Sequence, residues 1–183
     1  MIKKNWLEQN RFYYQIDGAK LHSIFYFILV WNIYEKELCG RDGKIRRHPK
    51  YHSEKYDQKV NQSLLDSVFN YFKNRYVLNG QPTYHFGTFE FNSEPIKSKV
   101  YGCLSSADPS NEEKLKALLF IAFRLINNLF HGEKQVEKLY EQNENFRQIN
   151  MLLMNLIDTE KQLSRNQVLN ELTTVSQKLG MGY

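Results

Sequence analysis

From Asp108 to His131 the sequence reads DPSNEEKLKALLFIAFRLINNLFH. Asp108 reads as a helix cap, Pro109 suits a first turn, and Glu112 and Glu113 complement the positive end of a helix dipole. Leu115, Leu118, Leu119, Ala122, Phe123, Leu125, Ile126, Leu129 and Phe130 then leave almost no polar face. A helix that is apolar nearly all round is not a surface helix; other elements must surround it. The fold has to be built about this segment, which runs to about Phe130 and is stopped by Gly132.

The surrounding elements also read as helices. Only four prolines and nine glycines interrupt long apolar-periodic stretches, which points to an all-α fold rather than strands and turns. A first helix is expected from about Ala19 to Leu38, opened by Asp17-Gly18 and closed by CGRDGK. Its middle is apolar on every face, so it is either central or buried against a second copy. Arg41 to Tyr51 reads as a loop. A second helix, about Glu54 to Asn79, repeats Leu64, Leu65, Val68, Phe69, Phe72 and Tyr76 at three and four residues and stops at NGQP. Pro82 to Asn92 alternates around Gly87 and predicts a small hairpin or extended excursion, and Ser93 to Ala107 reads as a loop. After the third, central helix, a fourth is expected from about Lys134 to Leu163. It places Val136, Leu139, Tyr140, Phe146, Ile149, Leu152, Leu153, Leu156 and Ile157 on one stripe. Ser164 would cap a fifth helix through Leu179, with the last residues frayed. The expectation is one domain over residues 1–183: an all-α bundle of about five helices, with the excursion between the second and third.

The 25 basic against 20 acidic residues leave a formal charge of +5, which favours a polyanionic partner. Cys39 and Cys103 stand without a CxxC or Cys/His cluster, so reduced thiols are expected, with neither a zinc site nor a disulfide framework. The N-terminus lacks a signal-peptide h-region, and LHSIFYFILVWNIY is short for a bilayer span and followed at once by charge. A cytoplasmic protein without a membrane segment follows. His48 and His52 are four apart, but Pro49 interrupts the helix that would align them, so no metal is expected. His22 and His85 are taken as structural, and nothing in the sequence signals a cofactor.

The central helix carries one polar interruption. At about 100° per residue, Arg124 and His131 lie within about 20° of each other, with Asn127 and Asn128 flanking them. Ala117, Phe120 and Ile121 extend the stripe, so it needs a cover, and a buried arginine needs matched partners. A self-complementary interface about a two-fold axis, open at its polar end, meets both conditions. Taken singly, the same residues also fit a capping histidine, a salt-bridged core-edge arginine and two asparagines closing a helix.

As a set, R-L-I-N-N-L-F-H-G-E-K resembles the signature of HEPN domains, small helical proteins of prokaryotic toxin–antitoxin, abortive-infection and CRISPR systems whose motif is Arg, four to six residues, then His. Here six residues separate Arg124 from His131. NNLFHGEK is similar to the subgroup in which an asparagine-rich turn leads into LFHG and a basic residue, here Lys134. The resemblance implies a metal-independent endoribonuclease acting as a homodimer, held in check by an antitoxin protein in such systems. It implies catalytic roles for His131 as proton carrier, Arg124 as phosphate clamp and Asn128 or Asn127 as orienting group. It also implies a polar contribution from the first helix, for which Asn32 and Glu35 are the candidates. The basic segment Arg41 to Lys59, with Arg46, Arg47 and Lys50, fits an RNA backbone, and Tyr51 and Tyr56 fit stacked bases; a solvated loop fits it as well. The alternative function is a non-catalytic module of the same fold that scaffolds or binds RNA or nucleotide.

Overall fold

In the computed structural model, residues 18–39, 48–89, 91, 93–130, 139 and 141–180 are described. The elements in chain order are α1 (Gly18–Tyr34), continued by a π-helical turn (Glu35–Cys39), α2 (His48–Tyr56), α3 (Gln62–Tyr76), β1 (Val77–Leu78), β2 (Gln81–Pro82), α4 (Tyr84–Gly87), α5 (Glu94–Ser105), α6 (Asn111–Phe130) and α7 (Asn143–Gly180). The all-α expectation holds, with seven α-helices among the described residues rather than about five and one two-stranded hairpin.

α6 is the element the sequence places at the centre. Leu115, Leu118, Leu119, Ile121 and Ala122 are fully buried, and α2, α3, α5 and α7 pack around it. Each leucine so enclosed contributes about 1.5–3 kcal/mol relative to exposure. A second layer forms where α1 lies along α7, with Phe27 stacked on Phe146 at 5.0 Å. α1 is not enclosed on all sides. Phe27, Val30, Trp31 and Tyr34 face the core, while Phe25, Tyr26, Leu29 and Ile33 remain exposed.

Several boundaries differ from the sequence reading, beginning with α2, which starts at His48 inside the expected Arg41–Tyr51 loop. The expected second helix is two, because the chain breaks after Tyr56 and restarts at Asn61. The side chain of Asn61 accepts from the Leu64 amide at 3.0 Å, and its own amide donates to Asn155 Oδ1 at 3.0 Å. NGQP does more than stop α3. Asn79 and Gly80 take φ of 50° and 72°, the paired left-handed conformation of a two-residue hairpin turn, and join β1 to β2 with Val77 opposite Pro82. The hairpin thus precedes the expected excursion, whose place is taken by the short α4.

Residues 94–105, expected as loop, form α5. Pro95 sits in the first turn, where a missing N–H costs nothing, and Val100 and Leu104 are wholly buried one turn apart. The expected fourth and fifth helices are one: α7 runs through Ser164 without a break. The expected stop at Gly132 and the frayed terminus lie outside the described residues, as does most of the segment 131–140.

The start of α6 is set by Ser110 rather than Asp108. The Ser110 hydroxyl accepts from the Glu113 amide at 3.3 Å, and the Glu113 carboxylate accepts from the Ser110 amide at 2.8 Å, a reciprocal capping box. These bonds hold the Glu113 carboxyl below the usual carboxylate range. Ser110→Ala is expected to lower stability by about 1 kcal/mol, and Asp108→Ala by less than about 0.5 kcal/mol, both read from urea unfolding at neutral pH.

Candidate functional site

Arg124 lies on the last third of α6, and only 5 % of its surface is exposed. Its Nε donates to the Phe89 carbonyl at 3.4 Å. Arg124 forms part of the wall of a cleft of about 350 Å³, open to solvent, whose other walls are Pro49, Phe91, Ser93, Ile96, Phe120, Phe123 and Asn127. Pro49 stands in the first turn of α2 and Ser93 caps α5. The cleft is therefore where two helix N-termini meet a buried arginine. The hydroxyl of Ser93 makes no bond to its own helix. The leading amides of a helix lack partners within it and carry roughly half a positive charge, so both ends reinforce the guanidinium in attracting an anion.

The position of α2 depends on buried polar contacts. His52 is fully buried; its Nδ1 accepts from the Tyr34 hydroxyl at 2.5 Å, and its Nε2 donates to the Leu38 carbonyl at 3.1 Å. The Leu38 carbonyl can only accept, which makes Nε2 the donor, and the bond satisfies a carbonyl in the π-helical turn that ends α1. One turn on, the Tyr56 hydroxyl donates to Glu160 Oε2 at 2.5 Å and Lys55 Nζ donates to the same oxygen at 2.8 Å. Burial pushes the phenols of Tyr34 and Tyr56 well above their ordinary value, so both remain donors. α2 is thereby tied to α1 on one side and to α7 on the other, which fixes Pro49 against α6.

The structure brings together two of the residues singled out in the sequence, Arg124 and Asn127, the latter exposed on the cleft wall. Asn128 is 5 % exposed, and neither its Nδ2 nor its Oδ1 has a hydrogen-bond partner among the described residues. His131, Arg46, Arg47 and Lys134 lie outside the described residues. Lys50 is exposed at the start of α2 and pairs with Glu54 at 3.7 Å, but does not line the cleft. Asn32 and Glu35 do not line it either. Asn32 is exposed, with its Nδ2 donating to the Ile28 carbonyl at 2.7 Å, and Glu35 opens the π-helical turn. α1 reaches the back of the cleft through Trp31, which meets Phe123 edge-on at 4.9 Å.

Two details of the sequence reading are corrected. Pro49 does not interrupt a helix but begins one, and His52 is turned into the core. The expectation of no metal rested on that interruption and on the lack of a further Cys or His beside the pair; among the described residues no group of three or more metal-ligating side chains comes together. The cover required by the stripe through Ala117 and Ile121 comes from the chain's own α2 and α5, so burial of that stripe does not by itself require a second copy. Ser93 was missed because α5 read as loop; the Ser-Glu-Pro start was the available signal.

No family model matches the chain, and neither a curated protein sequence nor a solved structure shows significant similarity to it. Among the described residues no helix is long and apolar enough to cross a membrane.

Burial alone would raise the Glu160 carboxyl, and the bonds from Lys55 and Tyr56 outweigh it, holding that carboxyl below its ordinary 4.5. A depressed carboxylate stabilises the fold above its unfolded-state value and loses that contribution as pH falls through the folded-state one. Glu160→Gln is therefore expected to lower the urea midpoint at pH 7 and to flatten its fall between pH 5 and pH 3.

Proposed function

We propose that this chain is a metal-independent RNA endonuclease of the HEPN type, acting as a homodimer in a toxin–antitoxin or anti-phage defence system. The observation that carries the reading is the cleft at Arg124, where a guanidinium, two helix N-termini, the Ser93 hydroxyl and Asn127 converge. That set of donors suits a phosphodiester, and the flanking Phe91, Phe120 and Phe123 suit nucleobases. His131 follows Arg124 at the spacing of the motif.

In the proposed reaction the RNA's 2′-hydroxyl attacks the adjacent phosphorus. An imidazole of His131 removes the hydroxyl proton as the new P–O bond forms, and the second copy's imidazole protonates the departing 5′-oxygen as the old bond breaks. The products are a 2′,3′-cyclic phosphate and a free 5′-hydroxyl, and the proton balance is zero. Arg124 holds the non-bridging oxygens as charge builds on them. An unperturbed imidazole pKa near 6.5 suits both proton roles at neutral pH. Pairing of two chains is supported by α1, whose exposed Phe25, Tyr26, Leu29 and Ile33 form an apolar face of the kind that a second copy covers. Arg46, Arg47, Lys50 and Lys134 are proposed to guide the strand, and an antitoxin protein is the proposed restraint in the cell.

One observation favours the second reading, a non-catalytic module that binds RNA or nucleotide. Leu125 and Ile126, beside the arginine, are core residues at 2 % and 5 % exposure, and Arg124 is itself engaged with the Phe89 carbonyl.

Incubated with mixed RNA in EDTA, the parent protein is expected to cut. His131→Ala and Arg124→Ala are each expected to slow cutting by about 10²-fold or more while leaving the dimer intact on gel filtration. An inactive parent that still binds RNA supports the module instead, and an Arg124→Ala variant that unfolds marks the arginine as structural. The paired substitution Leu29→Glu, Ile33→Glu is expected to shift the protein to monomer; an undisturbed dimer assigns the interface to another face.

A further inference from the structure

A second cleft, of about 380 Å³, lies on the same seam between α5 and α6. Lys99, Val100 and Cys103 form its α5 wall, and Glu113, Lys116 and Phe120 stand opposite on α6. Phe120 also lines the Arg124 cleft, so its partly exposed ring is the wall that the two compartments share. The helices run antiparallel here. Ile96 faces the Arg124 end and Cys103 the other, while α6 passes from Asn127 through Phe120 to Glu113. At about 1.5 Å per residue, that stretch of α6 spans about 21 Å, and the two clefts lie along it as one groove parted by the Phe120 ring.

The groove has the chemistry of a single-strand track. Lys99 is exposed on one bank and Lys116 is half-buried on the other, its nearest acid being Glu112 at 3.9 Å. Glu113 lies on the groove wall, but its carboxylate is held by the Ser110 amide and hydroxyl at the cap of α6. Burial pushes the Cys103 thiol up to about 11, so the thiol itself is uncharged at neutral pH, while the Glu113 carboxylate beside it keeps its charge. Aromatic faces between flanking cations bind successive bases without reading sequence, because every base offers a π-face.

We infer that the α5–α6 seam guides a single RNA strand away from the Arg124 cleft, with Lys99 and Lys116 on its phosphates and the Phe120 ring stacked between two bases. This rests on the RNA reading of the cleft and adds to it a binding site remote from the proposed chemistry. The track makes affinity depend on strand length: a dinucleotide at the Arg124 end meets one side of the Phe120 ring, and a longer strand also engages the lysines and the ring's other side.

The test uses the full chain with 2′-O-methyl RNA probes, which cannot be cut by 2′-hydroxyl attack, one a dinucleotide and one of about ten nucleotides. The longer probe is expected to bind more tightly. Lys99→Ala with Lys116→Ala is expected to make its salt dependence shallower by about 1.4, two phosphates at about 0.7 each, and to leave dinucleotide affinity within about twofold. Phe120→Leu, which keeps an apolar residue at that place, is expected to weaken the longer probe about tenfold and to relieve fluorescence quenching of a 2-aminopurine placed at that step. If the parent cuts RNA but the lysine variant binds the longer probe with unchanged affinity and salt slope, the track is overturned and the cleft reading stands. If the parent binds neither probe, both are overturned.

Discussion

The burial of α6 on all but the one face that lines the two clefts is the constraint on which the remaining architecture depends. A helix with leucine, isoleucine and alanine over most of its surface has no stable place except among other elements, and α2, α3, α5 and α7 of the same chain surround it. α3, α5 and α7 supply apolar faces for this purpose. α2 is short and rich in polar groups, and it is held by specific bonds from Tyr34 through His52 and from Tyr56 to Glu160 rather than by apolar area. The same enclosure traps Arg124. Removing a guanidinium from water costs several kcal/mol unless matched partners replace the solvent, so the groups near it are constrained in chemistry as well as shape.

Enclosure also explains why the cleft lies where it does. Helices laid around a central one leave gaps at their ends, and the gap at Arg124 opens where α2 and α5 both begin. Helix starts expose unpaired amides, so packing and electrostatics converge on one place without a separate device. The aromatic side chains that line the gap also belong to the core: Phe123 backs onto Trp31, and Phe91 onto Phe86 and Phe89. A binding surface built from core side chains is preorganised, because moving it means disturbing the packing behind it.

Much of this was legible because the strongest patterns were the longest. The helical periodicity of Leu64 to Tyr76 and Phe146 to Ile157 specifies both helices and their buried faces, and the start of α6 was misplaced only from Ser110 to Asp108. α5 was hidden by its composition. Pro95, Gly102 and four serines read as loop, yet the proline occupies a first turn and Val100 and Leu104 provide the buried face. The break before Asn61 was hidden for the opposite reason, since apolar residues continue on both sides of it while the Asn61 side chain caps a new helix. At the site, Arg124 and Asn127 could be named from their spacing. Ser93 and Pro49 could not, because they come from separate stretches of chain, and without them Phe120, although on the arginine's stripe, could not be recognised as a cleft wall.

The sequence by itself determined the helical class, the identity of the central helix and the anomaly of an arginine within it, since these follow from periodicity and from the cost of burying charge. Only the tertiary structure decided what covers that arginine, which helix ends point at it, and that Phe120 divides two clefts on one seam. Those are relations between distant segments, and the local pattern of each is the same whichever neighbours it meets. Packing chooses among such arrangements through shape and through bonds such as that from Tyr34 to His52, whose partners no spacing rule connects.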